Sequence, residues 1–401
     1  MGSKILKIRV GDKHIGGDAP CFIVAEAGAN HEGIFENAIE LIDAAKETGA
    51  DGIKFQHYMA GKLVAKEAKR YWRLAGDKEG FQFDPNIYND DQKSTFEEID
   101  GIPRDRDHEL RTYGENNNIV VFSTPFDFES VDHLDALGSP MFKIASGDLT
   151  YHQLLEYTAR KGKPIILSTG AANMDEIRAA MNVIRKTGND QIILLHCTLA
   201  YPTPLANANL LMMKHLEKEF PGAAIGLSDH TPGWEADVAA AMLGAVMIEK
   251  HFTHTPGPAK GDDMVGHSPD HDIGIGRKRF TEMVNSIREN EKKKLSVRMG
   301  LPFNEAIQCI KAGDHPEVLR GGSEKCVDEA VELKARAQAR RSVVTELSLT
   351  AGTVIRAKHL KRFSIKRPGT GIAPFDIEKI EGRIVKTDLE ADTVLRWEHF
   401  S

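Results

Sequence analysis

The sequence predicts an α/β protein: a (β/α)8 TIM barrel followed by a small β-rich domain. Three observations carry this. Eight short apolar runs lie between about residue 20 and residue 252. Amphipathic segments separate them, as helices separate the strands of a parallel barrel. Beyond residue 295 the chain turns polar, and short strands punctuated by Gly and Pro then return.

The runs are CFIVAE (21–26), GIKFQ (52–56), IVVFS (119–123), MFKIAS (141–146), PIILS (164–168), QIILLH (191–196), AAIGLS (223–228) and VMIEKH (246–251). They are rich in β-branched and aliphatic residues and hardly alternate, as strands read when both faces are buried. Between them, ENAIELIDAAKETGA places Ile39, Ile42 and Ala45 on one helical face. NMDEIRAAMNVIRKTG sets Asn173 and Glu176 at capping-box spacing. A long insertion, roughly 57–100, blurs the helix between the second and third runs. A doubly wound sheet is the rival, but no Gly-rich first turn or P-loop follows a strand. The domains read as a barrel over 1–295, a polar linker over 296–338 and a β-rich domain over 339–401. A domain of that last size is marginal alone and needs another surface to lean on.

Net charge is −7, so no global basic field exists to hold nucleic acid or an anionic membrane. Four cysteines without a CxxC pair suit a reducing compartment. Neither a signal peptide nor a long apolar span is visible, and a cytoplasmic location is expected.

In such barrels chemistry gathers at the C-terminal strand ends. Those ends carry Glu26, then Lys54 and Gln56 on one face, Lys143 leading to Ser146, Ser168, His196 leading to Tyr201, Ser228 and His230, and Glu249 with His251. Two lysines facing a barrel mouth are costly unless an anion meets them. Hydroxyls and glycine-flanked amides beside them suit phosphate or carboxylate oxygens. Two strand-end imidazoles suit a first-row divalent ion with positions left open. Each residue alone also has a bland reading, as a salt-bridge partner, helix cap or packed histidine. Their joint occurrence favours a site that takes a phosphorylated anion beside a Lewis acid. His254, His267 and His271 read as loop residues, His196 as an orienting group and Cys197 as a small buried side chain.

The motifs FIVAEAGANHEG, GADGIKFQ, FSTPFD, FKIASGDL, PIILSTG, LLHCT with YPTP, IGLSDHTPG and EKHFTHTPGP resemble, in order, those of the sialic acid synthase family. ARRSVV and IKRPGTGIAP resemble its antifreeze-like SAF (β-clip) domain. The resemblance implies a metal-dependent transferase that condenses phosphoenolpyruvate with an N-acylhexosamine and releases phosphate by C–O cleavage. Lys54, Lys143, Ser146, Ser168 and Ser228 would hold phosphoenolpyruvate. His230 and His251 would bind a divalent metal, usually Mn²⁺, with Mg²⁺ or Co²⁺ as alternatives, and Glu26 would move a proton. Gln56, Tyr201, Asp263 and Arg367 would face the sugar, Arg367 from the tail of a partner subunit in a domain-swapped homodimer. Apolar Leu199-Ala200, the insertion and a lengthened GPAKGDDMVGHSPD depart from the family pattern, all on the sugar side. N-acetylmannosamine is the default sugar; a diacetamido-trideoxyhexose or a 6-phosphorylated sugar is the alternative. A related ulosonate synthase and a non-enzymatic carbohydrate- or ice-binding protein are the rival classes.

Overall fold

The structure, a computed structural model, describes residues 5–72, 92–99, 104–254, 268 and 270–401. An N-terminal hairpin pairs β1 (Lys7–Val10) with β2 (Lys13–Gly16). Eight parallel strands follow: β3 (Phe22–Gly28), β4 (Gly52–His57), β5 (Val120–Pro125), β6 (Phe142–Ile144), β7 (Ile165–Ser168), β8 (Ile192–Cys197), β9 (Ala224–Asp229) and β10 (Met247–Thr253). Each pairs with the next, and β10 also pairs with β3. The sheet therefore closes into the expected barrel, with the short β11 (Ile275–Gly276) beside β10.

All residues of β3, β7, β8, β9 and β10 are buried, one face against the interior and one against helices. This explains runs without alternation. Ile23, Ala25, Ile53 and Phe55 face outward to the helical layer. Phe22, Val24, Phe122, Ile166 and Met247 fill the lower interior, and Ile8, Val10 and Ile15 of the hairpin join the same cluster. The hairpin thus stoppers the N-terminal end. The capping box on helix Met174–Arg185 forms as expected, Asn173 accepting from the Glu176 amide.

The segment after the barrel is polar for a different reason than a linker would be. Helix Phe303–Ala312 buries Ala306 and Ile310 against the main core. Further on, buried Glu332 accepts from the amides of Ala171 (2.6 Å) and Leu199 (2.7 Å), just past the ends of β7 and β8. Asp328 accepts from Asn207 and Asn209, both at 2.9 Å. The stretch is tied across the barrel mouth.

The tail pairs β12 (Ser342–Thr345) with β13 (Phe363–Lys366) around its own core of Val343, Ile355, Ile372, Ile380 and Leu395. It docks on the inner part of the insertion. Ala65 donates to the Arg367 carbonyl and Arg367 donates to the Leu63 carbonyl, each at 2.9 Å. Arg341 and Asp148, both fully buried, pair at 2.6 Å across the junction. Within one chain the tail covers the mouth of its own barrel, and these contacts complete that mouth.

Candidate active site

Alternate strand positions face the interior, and toward the C-terminal ends those positions change from apolar to polar. Glu26, Lys54, Gln56, Lys143, Ser146, Ser168, Tyr201, Ser228, His230, His251 and Arg367 line one cavity there. Asp263, expected beside the sugar, and His267 lie outside the described residues. His254 and His271 do not line the cavity; they face Glu40 and Glu32.

The two lysines are already met by an anion of the protein. Glu249 stands between them because β10 brings it opposite β4 and β6 across the barrel. Lys143 donates to Glu249 Oε1 at 3.0 Å, and Ser228 Oγ donates to the same oxygen at 2.9 Å. Lys54 lies 3.7 Å from Glu249 Oε2, pairs with Glu26 and donates to Thr124 Oγ1 at 3.1 Å. These charges respond to burial and to each other. Burial pushes the Glu26 carboxyl up, Lys54 pulls it down and Glu249 pushes it up again, leaving it at about 7. Burial also works to raise Glu249, but Lys143 and Lys54 outweigh it and hold that carboxyl below the usual range. Burial pulls Lys143 down despite Glu249. It pulls on Lys54 too, but Glu249 and Glu26 together leave that amine raised.

Beside the lysines, Ser146 Oγ accepts from the Gly170 amide at 3.0 Å. Ser168 Oγ is buried and has no hydrogen-bond partner. A buried hydroxyl in a cavity wall is satisfied at no cost by a ligand oxygen.

The histidines form the opposite wall, their ring centroids 5.4 Å apart. His230 Nδ1 lies 3.0 Å from the Thr198 carbonyl, which only accepts, so Nδ1 carries the proton and Nε2 a lone pair. Burial pushes His230 down to about 4. Burial first, then the neighbouring His230, drives His251 well below the ordinary histidine value. Both rings are neutral at pH 7. His251 Nδ1 is buried with no hydrogen-bond partner, 3.8 Å from Asp270 Oδ1. Neutral imidazoles, an orphaned ring nitrogen and the nearby Glu26 and Asp270 carboxylates fit a first-row divalent cation.

Two residues to which the resemblance assigned no role belong here. Glu249 is one. Asp270 is the other: its Oδ2 is 3.4 Å from Gln56 Nε2, which also reaches Glu26 Oε1 at 3.3 Å. The signal for Asp270 was the later Asp of the lengthened SPD segment, seven positions beyond the one chosen. Gly28, at φ +53, makes room for it; a methyl group there would overlap the Asp270 carboxylate. The insertion supplies the roof. Tyr71, Trp72, Phe96 and Ile99 line the cavity with Leu199. The Arg367 guanidinium rests 5.4–5.9 Å from the ring centres of Tyr71, Phe96 and Phe126, and its Nε has no hydrogen-bond partner. Burial holds the Cys197 thiol up at about 12, which rules it out as a thiolate nucleophile at neutral pH. Buried His196, pushed down to about 3 chiefly by burial, contacts the Ala208 carbonyl at 2.9 Å and does not face the cavity.

The NeuB family model matches residues 41–297 and the SAF domain model matches residues 340–401. The chain belongs to the NeuB family. It is 35% identical to the N,N'-diacetyllegionaminic acid synthase of Legionella pneumophila, over 97% of each chain. It is 29% identical to the N-acetylneuraminate-9-phosphate synthase of Mus musculus, over 94% of this chain and 92% of that one. Among solved structures it resembles the spore coat polysaccharide biosynthesis protein SpsE of Bacillus subtilis, with a TM-score of 0.75, 31% identity and 99% of each chain covered. The NeuB family condenses phosphoenolpyruvate with sugars, so this chain is a transferase-type synthase of the nonulosonic acid class. Among the described residues no helix is long and apolar enough to cross a membrane.

Proposed function

We propose that the chain joins phosphoenolpyruvate to the open-chain form of an N-acylhexosamine, giving a nine-carbon nonulosonic acid and inorganic phosphate. One observation carries this: a buried lysine pair with an unpartnered Ser168 hydroxyl faces two neutral imidazoles across a single cavity. The lysine side suits the phosphate and carboxylate of phosphoenolpyruvate, held by Lys54, Lys143, Ser146, Ser168 and Ser228. His230 and His251 would hold a divalent cation, Mn²⁺ by preference, whose chemistry is to polarise the sugar aldehyde.

C3 of phosphoenolpyruvate forms the new bond to the aldehyde carbon. Water adds to C2, and its proton passes by way of Glu26 to the alkoxide left on the former aldehyde oxygen. The C2–O bond to the phosphoryl group then breaks, the C2 hydroxyl becomes the ketone, and its proton leaves with the phosphate. A carboxyl near 7 is suited to both halves of that proton transfer. Lys54 and Lys143 offset charge that shifts toward the phosphate oxygens as the bond breaks.

N-acetylmannosamine is the default sugar. A 2,4-diacetamido-2,4,6-trideoxyhexose is the second reading, and the roof favours it. Tyr71, Trp72, Phe96 and Leu199 offer apolar contact to methyl and acetamido groups where hydroxyls would go unpaired. A 6-phosphorylated sugar is less well served. The cations lining the mouth, among the described residues, are Lys54, Lys143 and Arg367, and this reading already commits both lysines to phosphoenolpyruvate. A domain-swapped homodimer would exchange the Arg341–Asp148 and Arg367–Leu63 contacts between chains without altering them; light scattering measures its mass.

The test is phosphate release from phosphoenolpyruvate with each of the three sugars, with Mn²⁺ and with chelator. Chelator-sensitive release with one sugar supports the reading and names the substrate. Silence with every sugar rejects it and leaves a binding protein.

A further inference from the structure

β4 carries chemistry on both of its faces. Lys54 and Gln56 point into the barrel, while Phe55 and His57 point out into the helical layer. Behind the barrel wall, His57 meets two groups brought by separate helices. Asp107 is the first residue of helix Asp107–Asn116, and His133 belongs to helix Phe128–Ala136. Both imidazoles converge through Nε2 on one oxygen, Asp107 Oδ2, at 2.8 Å from His57 and 2.6 Å from His133. The three donor atoms all lie within 4.8 Å of one another.

We propose that His57, Asp107 and His133 form a second divalent-metal site, independent of the one at the barrel mouth, with zinc as its chemical match. Two imidazoles and a carboxylate are a recurrent zinc donor set, with metal–nitrogen and metal–oxygen bonds of about 2.0–2.2 Å. Ligand atoms around a tetrahedral ion stand about 3.3 Å apart by that bond length. The nitrogen–oxygen spacings of 2.8 and 2.6 Å need to open by about 0.5–0.7 Å to reach that separation, within reach of side-chain rotations. The surroundings resemble those of a buried metal centre rather than an exposed ion pair. Phe55, Leu110, Val121, Leu134 and Leu137 wall the space around His57 and Asp107. His57 and Asp107 are buried, but the His133 side chain is 23% exposed, which leaves a path for the ion and a fourth position for water. The bound ion would clamp two helices to the strand that presents Lys54 and Gln56.

The experiment uses the full chain carrying His230→Ala and His251→Ala, which empties the histidine pair at the mouth. After chelator treatment and dialysis, Zn²⁺ is titrated and bound metal is counted by mass spectrometry; Co²⁺ is loaded in parallel for its visible absorption. The expected result is about one high-affinity zinc per chain, with a cobalt spectrum of low coordination number. Adding His133→Gln should weaken zinc by more than about 100-fold, beyond the 10–100-fold lost when a group that merely orients a ligand is removed. The glutamine amide can still hydrogen-bond Asp107, so thermal unfolding of the metal-free chain should barely change while the zinc-induced rise in Tm disappears. Asp107→Asn serves as the second variant. No zinc on the double-alanine chain, or zinc held equally well after His133→Gln and Asp107→Asn, overturns the proposal and leaves a hydrogen-bonded tie between helices.

Discussion

Replacing Asp148 by Asn tests whether the tail is held over the barrel mouth by one buried charge pair. Asp148 and Arg341 are 1% and 0% exposed at their side chains, so solvent screening does not discount the interaction. Removing one partner of such a pair costs about 3–5 kcal/mol, because the other charge stays buried. Arg341 also donates to the carbonyls of Leu63, Ile365 and Phe126, all at 3.3 Å, which places the cost at the lower end, about 3 kcal/mol. That corresponds to a roughly 150-fold shift in the docking equilibrium. Two amides report docking directly: Ala65, bonded to the Arg367 carbonyl, and Arg367, bonded to the Leu63 carbonyl. Their hydrogen-exchange protection should fall by about 150-fold, while amides of β3 and β8 keep theirs. The KM for the sugar should rise with the loss of Arg367, and that for phosphoenolpyruvate should hold. Replacing both partners, Asp148→Leu with Arg341→Met, should recover much of the loss. Unchanged exchange at Ala65 and Arg367, or an equal loss throughout the barrel, would refute the account of the junction.

Glu26→Gln should lower kcat by about 10²–10⁴, the usual contribution of a positioned acid–base group. Glu26 accepts a proton only when ionised, and burial pushes its carboxyl up to about 7, so kcat/KM should rise with pH through that region. A limb that survives in the glutamine variant would assign it to another group. Gly28→Ala places a side chain at φ +53, at a cost of about 1–2 kcal/mol, and pushes on the Asp270 carboxylate; sugar KM should rise with little change in KM for phosphoenolpyruvate, measured by phosphate release. Arg367→Met keeps the stem against Tyr71, Phe96 and Phe126 but removes the charge, and should raise sugar KM by about 10–100-fold, the effect of losing a hydrogen bond to a charged group. An unchanged KM would place the sugar away from the tail.

The barrel was legible because its code is local. Each strand is an uninterrupted apolar run, and the last inward positions of a parallel barrel all open on one mouth, so reading the run ends in isolation brought Glu26, Lys54, Lys143, Ser168, Ser228, His230 and His251 into one list. What that reading misses is relation between strands. Lys54 and Lys143 suggest an empty anion cradle until closure brings Glu249 between them, and nothing local to β10 says which strands it will face. Asp270 was missed for a similar reason. Several aspartates lie in the stretch after β10, and only Gly28, on the neighbouring strand, has the bare backbone that receives one of them. His57 passed unremarked because strand parity sends it away from the mouth, where its partners come from two helices far along the chain.

The segment after residue 296 shows the deeper limit. Polar composition there was read as a linker, yet Glu332 and Asp328 are polar because they satisfy amides and side chains left open past β7 and β8. Composition cannot separate a polar stretch that meets water from one that meets unpaired backbone, since both require the same residue types. The distinction has a functional consequence. The amides of Ala171 and Leu199 lie beside Ser168 and the apolar sugar wall, so the segment that carries the tail to the mouth also shapes the two halves of the cavity it covers. Substituting Glu332 by Gln should therefore disturb both substrates together, unlike Arg367→Met, which should disturb the sugar alone.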